Sequence, residues 1–89
     1  MKWTVTVDKS VMRRLQRIPN PDRERLIQAI LAVKNGPEGL DIRPLEGRDG
    51  YRFRVGGWRI LLDMDTEMRT IAVYTVGSRG DIYQTKSKE

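Results

Sequence analysis

The chain contains neither cysteine nor histidine. Without cysteine there can be no disulfide framework and no thiolate metal site. Without histidine there is no zinc centre of the usual kind, no imidazole general base, and no Ser-His or Cys-His arrangement, so Ser10 and Ser78 have no base to activate them. Long apolar runs are missing as well. The opening MKWTVTVDKS lacks the apolar core of a signal peptide, and no segment approaches membrane-spanning length, so a cytoplasmic protein with no membrane partner is expected. No repeat or low-complexity tract appears. The glycines at Gly47, Gly50, Gly56, Gly57, Gly77 and Gly80 do not have the spacing of a phosphate-binding loop.

What is present is charge. At 89 residues there is room for a single domain spanning 1–89, with 84–89 read as a flexible tail. One third of the residues (33%) are charged and the formal net charge is +5, which suits a basic domain with an anionic partner such as nucleic acid.

The stretch YRFRVGGWRI, residues 51–60, reads as two short strands joined by the turn Gly56-Gly57, a pair favoured in tight primed hairpin turns. That turn places Val55 opposite Trp58, Arg54 opposite Arg59, Phe53 opposite Ile60 and Tyr51 opposite Leu62. Side chains alternate along a strand, so one face collects Tyr51, Phe53, Val55, Trp58, Ile60 and Leu62, and the other Arg52, Arg54 and Arg59. The first face is a core. The second sets like charges against each other, which is destabilising on a sheet unless something offsets it. No acid within the hairpin does so, Asp63 being the nearest of the same parity. The face reads as a polyanion-binding surface, with three solvated arginines on the wet face of a half-buried sheet as the alternative.

Upstream, Trp3, Val5 and Val7 alternate with polar residues as a first strand. Asp8 or Ser10 can cap a helix carrying Val11, Leu15 and Ile18 inward with Met12 alongside, ended by Pro19. Asn20 offers an N-cap to a second helix with Pro21 in its first position and Asp22 and Glu24 in its first turn. Its inward residues are Leu26, Ile27, Ile30, Leu31 and Val33, and Asn35-Gly36-Pro37 stops it. Residues 36–50 read as a connection pinned by Leu40, Ile42 and Leu45. The second hairpin strand extends to about Met64, Asp65-Thr66-Glu67 turns, and residues 70–76 form the last main strand. The expected fold is α+β: a small twisted antiparallel sheet of about four strands with both helices on one face. The partner of the first strand is left open. Asp63, Asp65 and Glu67 fall at the turn, where aspartate serves turn chemistry, so no metal site and no cofactor is expected.

Residues 77–83 leave the last strand and bring Arg79 and Tyr83 towards the edge of the arginine face. Arginine neutralises and donates but is an implausible general base. Several guanidinium groups around one concavity suit a phosphodiester whose charge rises in a pentacoordinate transition state. RNA carries its own nucleophile, the 2′-hydroxyl, so metal-free cleavage is compatible with a chain that has no histidine. Tyr83 either serves that chemistry, orienting a group or stacking on a base, or packs the C-terminal segment onto the sheet.

The order RPLEGRDGYRFRVGGWRILLDMD followed by IAVYTVGSRGDIY resembles the RelE/ParE toxin superfamily, and specifically its RelE-like branch. The resemblance extends over nearly the whole chain. Its most specific parts are Gly-Tyr-Arg-x-Arg-Val, the following Trp-Arg strand, and Gly-x-Arg-x-x-x-Tyr. It implies the toxin of a type II toxin-antitoxin system, with a cognate antitoxin, the ribosome and mRNA as partners. The implied activity is an endoribonuclease cutting mRNA in the ribosomal A site by metal-independent 2′-hydroxyl attack, which stops translation. Arg59, Arg79 and Tyr83 match the family's catalytic positions, and Arg52 and Arg54 its RNA-binding basic positions. Ser78 stands where histidine or lysine is frequent, and Gly57-Trp58 where many relatives have Asp-Tyr. Two other classes are compatible with the resemblance: a ParE-like DNA gyrase inhibitor, and an inactive RNA- or antitoxin-binding module.

Overall fold

The computed structural model describes residues 2–78. Strand β1 (Thr4–Val7) alternates exposed threonines with half-buried valines. Helix α1 (Lys9–Arg17) follows at once, capped by Asp8, whose carboxylate accepts from the Ser10 N–H at 3.0 Å and from the Ser10 hydroxyl. These two bonds favour the ionised carboxylate and hold the Asp8 carboxyl below its ordinary 3.8. Val11, Leu15 and the C-capping Ile18 are all buried, as their spacing predicts.

Helix α2 (Asp22–Ala32) begins one residue later than expected. The Asn20-Pro21 peptide is cis and Pro21, not Asn20, is the N-cap, with no side-chain capping bond. The Pro21 carbonyl accepts from the Arg25 N–H at 3.0 Å, which is the backbone half of the capping role. Asp22 and Glu24 supply the negative charge that suits the first turn. A short 3-10 turn (Val33–Asn35) extends α2 and ends at Gly36, whose φ of +103° a side chain would strain.

The remaining strands are β2 (Ile42–Pro44), β3 (Tyr51–Val55), β4 (Trp58–Asp65) and β5 (Thr70–Ser78). They form one sheet in the order β1-β5-β4-β3-β2, five strands where about four were expected. The additional strand is β2, inside the segment read as a plain connection. Three residues ending in proline are too short to show a period, and proline restricts such a run to a sheet edge, where β2 lies. The sheet is mixed. β2 through β5 pair antiparallel, whereas β1 lies parallel to β5 with Val5 beside Ile71 and Val7 beside Val73. The helices and the meander between β1 and β5 supply the long connection that parallel neighbours require.

Both helices cover one face of the sheet. Val11, Leu15, Ile18, Leu26, Ile30 and Val33 meet Phe53, Ile60, Leu62, Ile71, Val73 and Val76 in the main core, with Trp58 packed against it. Two residues assigned inward by helical spacing are not inside: Met12 is 53% and Leu31 46% exposed. They flank an apolar groove bounded by Val5, Val7 and Ile27. Spacing identifies a helix stripe but not how far the sheet beneath extends, and β1 is the terminal strand there. None of the described helices is long and apolar enough to cross a membrane.

Candidate functional site

The hairpin pairs as the sequence predicts: Val55 with Trp58, Arg54 with Arg59, Phe53 with Ile60 and Tyr51 with Leu62. Gly56 has φ +60° and Gly57 does not have a positive φ, the pattern of a type II′ turn. With that register fixed, Arg52, Arg54 and Arg59 all project from the face opposite the helices. Arg54 is exposed, and Arg52 and Arg59 are half-buried.

The sheet adds a residue that the hairpin alone does not reveal. β2 sets Arg43 directly beside Arg52, so one cross-strand row reads Arg43, Arg52, Leu61 and Thr75, and the next reads Arg54, Arg59 and Gly77. Arg43 could have been found only by recognising β2 as a strand.

The same edge supplies an acid. The Arg54 N–H donates to the Asp41 carbonyl at 3.0 Å, and the Arg54 Nε donates to the Asp41 carboxylate at 2.8 Å. Arg43 Nε stands 3.5 Å from the other carboxylate oxygen. The bond from Arg54, with the charge of Arg43 beside it, holds the Asp41 carboxyl below its ordinary 3.8. The arginine face is thus not entirely without a neutralising carboxylate, as the hairpin sequence suggests in isolation. The acid that pairs with Arg54 comes from 13 residues away along the chain, where strand alternation cannot place it.

Arg59 is held differently. Its Nη1 donates to the Trp58 carbonyl at 3.4 Å, at the long limit for a hydrogen bond. Its Nε is buried and has no hydrogen-bond partner among the described residues. A buried cationic donor left unmatched is costly, about 1–3 kcal/mol or more. Neither Arg52 nor Arg59 has a carboxylate within ion-pair distance among the described residues.

The face does not stay open along its whole length. Leu61 shares its parity with the arginines and is completely buried beneath Leu45 and Tyr74. A bulge between Leu61 and Leu62 advances the register on β5 from Thr75 to Val73, and Tyr74 is the intervening residue. The segment after β2 folds back through a Leu45 N–H to Gly50 carbonyl bond of 2.9 Å. It thereby covers one half of the face, and the guanidinium groups remain at the other half, towards the hairpin turn.

Asp65 accepts from the Glu67 and Met68 N–H groups, both at 3.0 Å, so its carboxylate is committed to the turn before β5. Among the described residues no group of three or more metal-ligating acids, histidines or cysteines converges. Arg79 and Tyr83 lie outside the described residues. The last described positions, Gly77 and Ser78, pair with Arg59 and Trp58 respectively.

This fold has known counterparts. A protein of Methanocaldococcus jannaschii, provisionally named toxin RelE1, is 28% identical over 94% of this chain and 98% of its own. The toxin in a RelE–RelB complex from Pyrococcus horikoshii is 27% identical, with a TM-score of 0.75 over 90% of this chain and 98% of that one. The RelBE2 toxin-antitoxin complex of Mycobacterium tuberculosis contains the same fold at 22% identity, with a TM-score of 0.75 over 89% of this chain and 100% of that one. The family model for the ParE toxin of type II toxin-antitoxin systems matches residues 4–83. The chain belongs to that family, as a RelE-like toxin of a type II toxin-antitoxin system.

Proposed function

We propose that this toxin is an endoribonuclease that cuts mRNA in the ribosomal A site and so arrests translation in the cytoplasm. The observation that carries the reading is the pairing of Arg54 with Arg59 beside Arg52, with the Arg59 Nε buried and unmatched. Asp41 offsets the charge of Arg54 and Arg43, but Arg52 and Arg59 have no carboxylate within ion-pair distance among the described residues, which leaves a place for a further anion. The resemblance to RelE-like toxins, which the RelE-named relatives reinforce, supports the choice of RNA as that anion.

The chemistry needs no metal. The 2′-oxygen of one nucleotide attacks the adjacent phosphorus and the bond to the 5′-oxygen breaks. This leaves a 2′,3′-cyclic phosphate on one product and a 5′-hydroxyl on the other, the proton lost by the nucleophile being balanced by the one the leaving oxygen gains. Arg59 and Arg79 bind the scissile phosphate and stabilise the extra charge of the phosphorane. Arg52 and Arg54 hold the flanking backbone, and Tyr83 orients the 2′-hydroxyl or the base. The Pyrococcus relative is found in complex with RelB, which supports a cognate antitoxin here. Such an antitoxin would neutralise the toxin by laying a strand or helix over the arginine face.

Primer extension on a defined mRNA, with and without programmed ribosomes, tests the reading with wild type and Arg79→Ala. Cuts that require ribosomes and vanish in the variant are expected. A second reading, DNA gyrase inhibition, is favoured by one observation: the matching family model carries the ParE name. Inhibition of gyrase supercoiling by a chain that cuts no mRNA would establish it instead.

A further inference from the structure

Helix α1 carries Lys9, Arg13, Arg14 and Arg17 and no acid, whereas the first turn of α2 mixes Asp22 and Glu24 with Arg23 and Arg25. The second pattern is an ordinary solvated helix surface; the first is a one-sign surface. Cations in the last turn of a helix suit its dipole, which accounts in part for Arg14 and Arg17. The dipole does not account for what they face. Arg14, Arg17, Ile18 and Trp58 together line a cleft of about 290 Å³. Neither guanidinium has a carboxylate partner among the described residues.

Trp58 is fixed in that cleft. It packs against the main core, and its indole N–H donates to the Asp22 carboxylate at 3.1 Å. The other oxygen of Asp22 lies 3.7 Å from Arg25, so this acid is already matched by a cation of its own helix. Trp58 is also the neighbour of Arg59 and the cross-strand partner of Val55 at the hairpin end. The cleft and the arginine face therefore meet at the same end of the sheet, on opposite sides of the Gly56-Gly57 turn.

We infer that the Arg14–Arg17–Trp58 cleft is a second subsite for single-stranded RNA, which seats one flanking nucleotide. The base lies against the Trp58 indole and the two arginines hold its phosphate, while the strand continues around the hairpin end to Arg54 and Arg59. A fixed aromatic beside two permanent cations is the combination that binds single strands without reading sequence. The subsite rests on the RNA reading above and extends it, assigning to RNA a surface on the helix side of the sheet.

The test uses the full chain with Trp3→Phe, which leaves Trp58 as the only one of the two tryptophans. The probe is a 2′-O-methyl single-stranded oligonucleotide of about eight nucleotides, within the site sizes such grooves take and inert to 2′-hydroxyl attack. Saturable quenching of Trp58 emission is expected. The double variant Arg14→Gln/Arg17→Gln should lower the slope of log affinity against log salt by about 0.7, one phosphate's worth on a single strand. Trp58→Leu, read by oligonucleotide anisotropy, should weaken binding about fivefold or more. Both arginines are exposed, and an unchanged far-UV circular dichroism spectrum checks that the double variant folds.

Three outcomes would overturn the proposal. Binding lost in Arg52→Gln/Arg54→Gln but unchanged in Arg14→Gln/Arg17→Gln would remove the subsite and leave the RNA reading standing. No binding by the parental chain would remove the subsite, and the ribosome-dependent reading would then stand or fall on primer extension alone. Equal quenching of Trp58 by poly-glutamate would reassign the cleft to an acidic protein segment.

Discussion

The Asp41 carboxylate lies 2.8 Å from the Arg54 Nε, just where Arg54 stands opposite Arg59 on the neighbouring strand. Two arginines facing each other across a ladder repel, and the acid that relieves them comes from the residue before β2 rather than from the hairpin. Both side chains are well exposed, 53% for Arg54 and 37% for Asp41, so the pair is screened and its part in stability is modest. On the RNA reading its part would be larger: Asp41 occupies the edge of the Arg54 guanidinium that a phosphate would take, and its other oxygen lies 3.5 Å from Arg43.

Removing that competitor should strengthen polyanion binding. Asp41→Asn keeps the shape and the backbone bond to Arg54 but frees two guanidinium groups. The expected outcome is tighter binding to single-stranded RNA, with a salt dependence steeper by about one in log–log slope. Titrations at several salt concentrations read both effects. An unchanged slope would mean that Arg43 and Arg54 do not reach the nucleic acid.

The same pair makes a signed prediction for pH. Folding lowers the Asp41 carboxyl below its ordinary 3.8. A carboxyl depressed in the folded state binds fewer protons there than in the unfolded chain. Its stabilising contribution is therefore complete above the unfolded value and disappears as pH falls through the lower folded one. The melting-temperature difference between wild type and Asp41→Asn should be present at neutral pH and close as pH drops below 3.8. A difference that persisted there would assign the effect to packing rather than charge.

The hairpin was legible in the sequence because each of its signals reports on neighbours. The glycine pair sets the turn, the turn sets the register, and strict alternation then sorts Phe53 and Ile60 from Arg54 and Arg59. What could not be read depends on residues far apart in the chain. β2 is three residues long and belongs to the sheet only because β3 lies beside it. Asp41 meets Arg54 through that pairing, and Met12 is exposed because the sheet ends at β1. One local signal was available and points the right way. Leu61 is an aliphatic residue on the arginine parity, and such a residue needs a cover.

That cover gives the arginine face its boundary, and Leu61 should prove structural. Leu61→Ala would open a void beneath Leu45 and Tyr74 and should cost about 2–5 kcal/mol by denaturant unfolding. An exposed neighbour on the same parity, Asp63, changed to Ala should cost far less. Similar costs at the two sites would show that the segment 45–50 does not hold to the sheet.

Two glycines separate backbone necessity from mere permissiveness in this region. Gly50 adopts φ +108°, and a Cβ there would lie 3.1 Å from the Tyr74 hydroxyl and 3.3 Å from a Leu45 methyl. Gly50→Ala therefore combines a strained conformation, about 1–3 kcal/mol, with tight contacts to the two residues that cover Leu61, which would have to give by a few tenths of an ångström. For a domain of this size the melting temperature should fall by at least about 5 °C. Gly57 lacks a positive φ and has open space around its Cβ position, so Gly57→Ala should leave stability unchanged or slightly raised, by up to about 1 kcal/mol, through the lower entropy of the unfolded chain. Thermal melts of the two variants side by side distinguish the cases. A Gly50→Ala protein as stable as wild type would mean that the 45–50 segment yields to the added methyl group, and that the cover over Leu61 is looser than its burial implies.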